Sequence, residues 1–165
     1  MAVFDDYVDS NLAAGNRTSA IAAQGSKTVS GRVVFDTVAA HDANSVYRVL
    51  RGIPNTAVFK KFDIYTDGVT GLSDVNVGVY KVGAGAAVVD DNCLGDAIDL
   101  SSAVLPTAAK DGLISVVNSD RSKALWELAG QSLTSRQSHY DVCLTAIADP
   151  SEADTIVIDY EYWAP

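Results

Sequence analysis

The residues that could do chemistry are few, and their spacing argues against most of what they could do. Gly83-Ala84-Gly85, followed by more alanine, has the beginnings of a phosphate-cradling loop. A dinucleotide loop needs G-x-G-x-x-G between a strand and a helix N-terminus. Here Val88 stands where the third glycine should be, and AAVVDDN supplies two carboxylates instead of a helix start. Carboxylates repel phosphate, whereas glycines let a chain reverse at no steric cost, so Gly83 and Gly85 are expected to form a turn. No Walker A loop is present. Asp90, Asp91 and Asn92, with Asp96 and Asp99 nearby, could approach a calcium ion. They lack the alternating acids around a glycine that a helix-loop-helix calcium site requires, and they read as an acidic surface loop.

Nucleophilic and metal chemistry fare no better. His139 and Asp141, two apart on one strand face, could pair as a base and its orienter, but no G-x-S-x-G serine or placed cysteine accompanies them. Cys93 and Cys143 are far apart, no CxxC occurs, and His41 is remote from His139, so a four-ligand zinc site is unsupported. Cys143, in VCLTAIA, reads as a buried small hydrophobe, with a disulfide to Cys93 as the lesser alternative. Paired carboxylates for glycoside hydrolysis meet only in space, so spacing leaves them open. A sugar-cleaving domain would carry more tryptophan and tyrosine in its loops. Trp126 in LWELAG and Trp163 beside the last strand read as core or interface anchors. The expectation is a structural or binding domain, not an enzyme, with no catalytic residue, no metal and no cofactor.

Composition narrows the partners. The chain has 165 residues, 48% hydrophobic and 20% charged, which suffices for one domain with its own core. Twelve basic against 21 acidic residues give a net charge of −9, a surface that repels nucleic-acid backbones. The basic candidates, Lys60-Lys61 and Arg48 with Arg51, are short and lie in strand-like text. No nucleic-acid partner is expected. No run approaches the roughly 18–20 apolar residues of a membrane span. MAVFDDYVDS has acids where a secretory signal would be basic and then apolar, so a soluble chain without an export tag, made in the host cytoplasm, is expected. The sequon Asn16-Arg17-Thr18 is then a chance match.

The elements that would position any site are mostly strands. In TVSGRVVFD, Val29, Gly31, Val33 and Phe35 share a face opposite Ser30, Arg32 and Asp36. The same period of two places Phe62 and Ile64 opposite Lys61 and Asp63, and Val75, Val77 and Val79 opposite Asp74, Asn76 and Tyr80. Tyr140, Val142, Leu144 and Ala146 oppose Asp141, Cys143 and Thr145, and Ile156, Ile158, Tyr160 and Tyr162 oppose Thr155, Asp159 and Glu161. Such alternation implies one buried and one wet sheet face. SVYRVLRGI is a sixth, less regular strand. Asp67-Gly68, Asp111-Gly112 and Asp149-Pro150 supply turns. SKALWELAG is the one helical stretch of the body.

Without crossover helices the six to eight strands must be antiparallel. The fold class expected is mainly β: an antiparallel β-sandwich of jelly-roll type over residues 27–165, with at most one or two short helices. Residues 1–26 read as an extended N-terminal arm. Within it Phe4, Tyr7, Val8 and Leu12 have helical spacing before Gly15, and GNRTSAIAAQGSK reads as a linker.

The stretch KALWELAGQSLTSRQSHYDVCLTAIADPSEADTIVIDYEYW resembles the C-terminal half of a family of small tailed-bacteriophage virion proteins. The resemblance rests on Leu125-Trp126-Glu127, Gly130, Tyr140-Asp141 with Leu144-Thr145, and Ile156 through Tyr162. GRVVFD, RGIPNTAVFKKFDIYT and the valine strand after Asp74 fit its earlier strands, so it spans roughly residues 27–163. Asp149-Pro150-Ser151-Glu152 is more polar than the family's small-residue loop, and the arm is longer. The resemblance implies a jelly-roll-like head decoration, or cement, protein on the outside of a capsid, hence in the virion. It further implies the major capsid protein as partner, self-association as a homodimer or homotrimer, and no membrane. Candidate interface residues are Phe4, Tyr7 and Leu12 of the arm and Tyr160, Tyr162 and Trp163 of the last strand. The same three C-terminal aromatics define the alternative, a carbohydrate- or receptor-binding module of a virion.

Overall fold

Alternation of side chains decides where the chain extends. A computed structural model describes residues 3–4, 27–37, 42–83, 85 and 87–164. It contains β1 (Val3–Phe4), β2 (Lys27–Asp36), β3 (Ser45–Pro54), β4 (Val58–Thr66), β5 (Val75–Lys81), β6 (Val88–Ile98), β7 (Lys110–Asp111), β8 (His139–Ala146) and β9 (Thr155–Ala164). One short helix, α1 (Leu125–Leu128), precedes β8.

The strands form two sheets, in the orders β2-β9-β4-β7 and β1-β3-β8-β5-β6. The pairs β2·β9, β3·β8, β4·β7 and β5·β6 are all antiparallel. The chain therefore behaves as one long hairpin, closed at β5–β6 and rolled so that successive pairs fall in alternate sheets. That is the jelly-roll arrangement of two Greek keys, as the alternation implied. Between the sheets lies one core, in which Val29, Val33 and Phe35 of β2 meet Phe62, Ile64, Val77, Val142 and Leu144. Phe35 lies against Tyr47 with ring centroids 5.4 Å apart, joining the two sheets.

Four expectations need correction. The helical spacing of the arm starts at Phe4, yet Val3 and Phe4 are extended and pair in parallel with Val46 and Tyr47 at the edge of β3. Tyr7, Val8 and Leu12 lie outside the described residues. The acidic text at 90–92 is not a loop but part of β6, whose three register shifts against β5 break the alternation. The strands are not all antiparallel, since β1 pairs with β3 in parallel; SKALWELAG gives a short helix as expected, α1, with the Ala124 N–H donating to Glu127 Oε2 at 2.8 Å.

The fourth correction concerns the wet face. It exists on the β2-β9-β4-β7 sheet but not on the central strands of the other, where residues 45–50, 75–80 and 140–146 are all buried. On β5, Gly78 sits so close beneath β6 that a Cβ would overlap the backbone of Asp90 and Asp91.

Candidate functional site

The groups with chemical potential are distributed over the two outer faces of the sandwich. On the wet face, Arg32 of β2 stands opposite Asp159 of β9, which stands opposite Asp63 of β4. The Arg32 guanidinium donates to both Asp159 oxygens, at 2.6 and 2.8 Å. Lys61 Nζ lies 3.1 Å from Asp63 Oδ2, and the Tyr65 hydroxyl donates weakly to the same oxygen at 3.4 Å. Hydrogen bonding from Arg32 holds the Asp159 carboxyl below its usual range, despite an opposing desolvation effect. The Lys61 ammonium is pushed up, first by its bond to Asp63. A shallow depression bounded by Ser30, Arg32, Lys61, Asp159, Tyr160 and Glu161 crosses this ladder. Its ion pairs, one across strands and one along β4, suit a solvated or protein-contacting surface.

The candidate aromatics of β9 separate. Tyr162 is inside the sandwich, 3% exposed, with its ring centroid 5.4 Å from that of Phe59. Desolvation pushes its hydroxyl up to about 12. Tyr160 stacks on Tyr162 and lies across Gly31 of β2, half-buried. Trp163 alone faces outward, 38% exposed. The three do not form one platform, because residues 160 and 162 share the inward face and 163 alternates to the other. For Phe4 the backbone pairing with Tyr47 is described, while Tyr7 and Leu12 lie outside the described residues.

The opposite outer face holds a buried polar group. Arg48 Nε lies 3.1 Å from Asp141 Oδ2, with both side chains nearly sealed from water. The Arg48 guanidinium also donates to the Gly83 carbonyl at 2.7 Å. Gly83 has φ +134°, a backbone state that favours glycine, so the GAG stretch turns the chain and turns it toward Arg48. Asp141 accepts the Gly52 N–H at 2.9 Å, at a bulge of β3 where φ is +62°. Tyr80 and Thr145 share a short hydroxyl–hydroxyl bond. Burial pushes the Tyr80 hydroxyl up to about 12, against the effect of that bond.

The remaining candidates are occupied locally. His139 Nδ1 contacts Ser138 Oγ at 3.1 Å, so it and Asp141 have different partners. In β6, Asn92 bonds Asp96 and Asp90, while Asn76 reaches Asp91. Asp99 accepts both the N–H and the hydroxyl of Ser101. Among the described residues no group of three histidines, cysteines or acids is placed to hold a metal. Cys93 and Cys143 form no disulfide, and burial pushes the Cys93 thiol up. Trp126 is half-buried beneath the Arg136 guanidinium, 4.9 Å from its ring centroid.

The surface also carries apolar groups that sequence reasoning passed over. Leu105, Ile114, Val117 and Leu133 are well exposed on the long connections between β6 and β8. Leu133 stands alone in polar text, while Leu105, Ile114 and Val117 each follow a buried apolar neighbour, and neither pattern singles them out in the sequence.

No protein-family model matches the chain, and none of the curated proteins compared with it matches. Among solved structures, it is similar to a chain described as "Cyanophage Pam1 capsid asymmetric unit". The TM-score is 0.43 at 18% identity, over 90% of this chain and 98% of that one.

Proposed function

We propose that this chain is a structural virion protein. It binds the outside of a bacteriophage capsid as a decoration protein and stabilises the lattice through protein–protein contacts, without catalysis. The observation that carries the reading is a conjunction. The stretch from Lys123 to Trp163 resembles small phage virion proteins, and it folds into α1, β8 and β9 of a jelly roll, the architecture that the resemblance implies. Fold alone does not assign function, so the sequence motif is needed beside it.

Physical features support the role. Both sheets join in one core, and on the wet face Arg32 pairs with Asp159 across strands while Lys61 pairs with Asp63 along β4, which leaves none of these four charges unpaired. A net charge of −9 keeps copies apart before assembly. Self-association as a homodimer or homotrimer would match the symmetric positions of a capsid lattice. The carbohydrate-binding alternative called for Tyr160, Tyr162 and Trp163 on one platform. The burial of Tyr162 removes the middle of it.

The test uses capsids assembled without this protein. Purified chain is added, and binding is followed by cosedimentation and image reconstruction. Saturable binding at one class of symmetry-related sites, with raised capsid heat resistance, is expected. Capsids that neither bind the chain nor gain resistance would overturn the reading.

A further inference from the structure

The register of β6 against β5 holds a large excess of chain. Val77 stands opposite Gly95 and Val79 opposite Asp90, so residues 91–94 face the single residue Gly78. That excess cannot lie flat in the ladder, and the chain arches. The arch passes above Gly78, where a Cβ would overlap the Asp90 carbonyl and the Asp91 backbone. Its far end is pinned: Leu94 is fully buried in the core, and its carbonyl accepts the Ser115 N–H at 3.1 Å. Beyond Leu94, Ala97 has φ +53°, a left-handed state that is unfavourable for a residue with a Cβ. Asn76 of β5 ties the arch from below. It accepts the Ala97 N–H at 3.3 Å and donates to Asp91 Oδ2 at 3.4 Å, both long bonds.

The arch also concentrates unbalanced charge. The Asn92 N–H donates to Asp90 and the Asn92 side chain to Asp96, both at 3.2 Å, which gathers two carboxylates around one residue. Asp91 lies between Asp90 and Asn92 in the chain, and residues 82–109 contain no lysine or arginine. The ion pairs among the described residues leave Asp90, Asp91 and Asp96 out. Tyr80 of β5 and Cys93 of the arch lie within reach of these acids, and neither brings a positive charge. Like charges held this close favour whatever state separates them, and salt weakens the repulsion. We propose that residues 89–93 form a salt-gated strap. It lifts from Gly78 between Val88, which pairs with Tyr80, and the anchored Leu94. Repulsion among Asp90, Asp91 and Asp96 sets how often it lifts. With the strap raised, the middle of β5 becomes a bare sheet edge, and Cys93 leaves the core it packs against.

Cys93 reports the motion. Its thiol is half-buried, 3.8 Å from the Asp90 carbonyl, and burial pushes its pKa up, so alkylation proceeds from the raised strap. The full chain is treated with iodoacetamide, and peptide mapping separates Cys93 from Cys143. Each rate is divided by that of the same cysteine in the urea-unfolded chain at the same salt, and amide exchange is followed in parallel. Raising sodium chloride from about 0.1 to about 1 M shortens the screening length from ~10 to ~3 Å and is expected to slow Cys93 labelling roughly threefold. Exchange in β2 and β9 should not follow it. The double variant Asp90→Asn with Asp96→Asn keeps the oxygens that Asn92 bonds, and it should label slowly at both salt concentrations. Asn76→Ala should speed labelling by about tenfold while β2 and β9 keep their protection. Labelling that ignores salt, or that tracks the exchange of β2 and β9, overturns the proposal. So does a salt effect that persists in the double variant. If Asn76→Ala does not fold, the salt series and the double variant decide. The test contains no capsid, so its outcome is separate from the virion reading.

Discussion

Asp141 sits where three segments meet, holding the Gly52 N–H at the β3 bulge and the Arg48 guanidinium, which itself reaches Gly83. Breaking a buried, hydrogen-bonded ion pair by removing one partner typically costs about 3–5 kcal/mol. Asp141→Ala is therefore expected to lower unfolding free energy by about that amount in a urea titration. Arg48→Met combined with Asp141→Leu should recover most of the loss, because matched apolar replacements of buried pairs are close to neutral. In the sequence Asp141 drew notice as a neighbour of His139, on spacing alone. Its real partner lies on another strand, and a pairing across β3 and β8 has no signature in linear spacing.

At the scale of elements, β2, β5, β8 and β9 were legible from the alternation of their sequences, and β4 from its second half, beyond the bulge at Phe59–Lys61. β6 was not. Its register against β5 shifts three times, and its acids resemble loop text. β7 is two residues long and too short to carry a period. The covered outer face was hidden for a different reason. Asn76, Gly78, Cys143 and Thr145 are small or polar, so the pattern reads as solvent-facing even where the strands are buried on both sides. Gly78 marks the place where this matters most, since β6 crosses directly above it. Gly78→Val is expected to lift β6 from β5. Amide exchange should rise by at least about tenfold across Val88–Ile98 while β2 and β9 keep their protection, in line with local opening of a marginal unit. Equal acceleration in both sheets would contradict this.

For the whole molecule, buried tyrosines, one in each sheet, link the fold to pH. Tyr162 in the core and Tyr80 beneath the outer cover both have hydroxyls pushed up to about 12 by burial. Their folded pKa values exceed the ordinary value of 10.0. The stability they contribute is thus complete below pH 10 and is lost as pH rises from there toward 12. A cooperative alkaline unfolding in that window is expected, with tyrosinate absorbance and loss of sheet circular dichroism coinciding. Gradual tyrosinate formation with the sheet signal intact would count against it. The rolled-hairpin topology has a further consequence for handling the body of this protein. Lys27 and Ala164 are register partners, so the strand that opens the sandwich and the strand that closes it meet at one point. A short bridge between them would leave the pairings among β2 to β9 in place, and the chain could be opened instead between β5 and β6, where Val82, Gly83, Gly85 and Ala87 are exposed. Sequence order and architecture are to that extent separable: the same pairings could be threaded from a different starting residue.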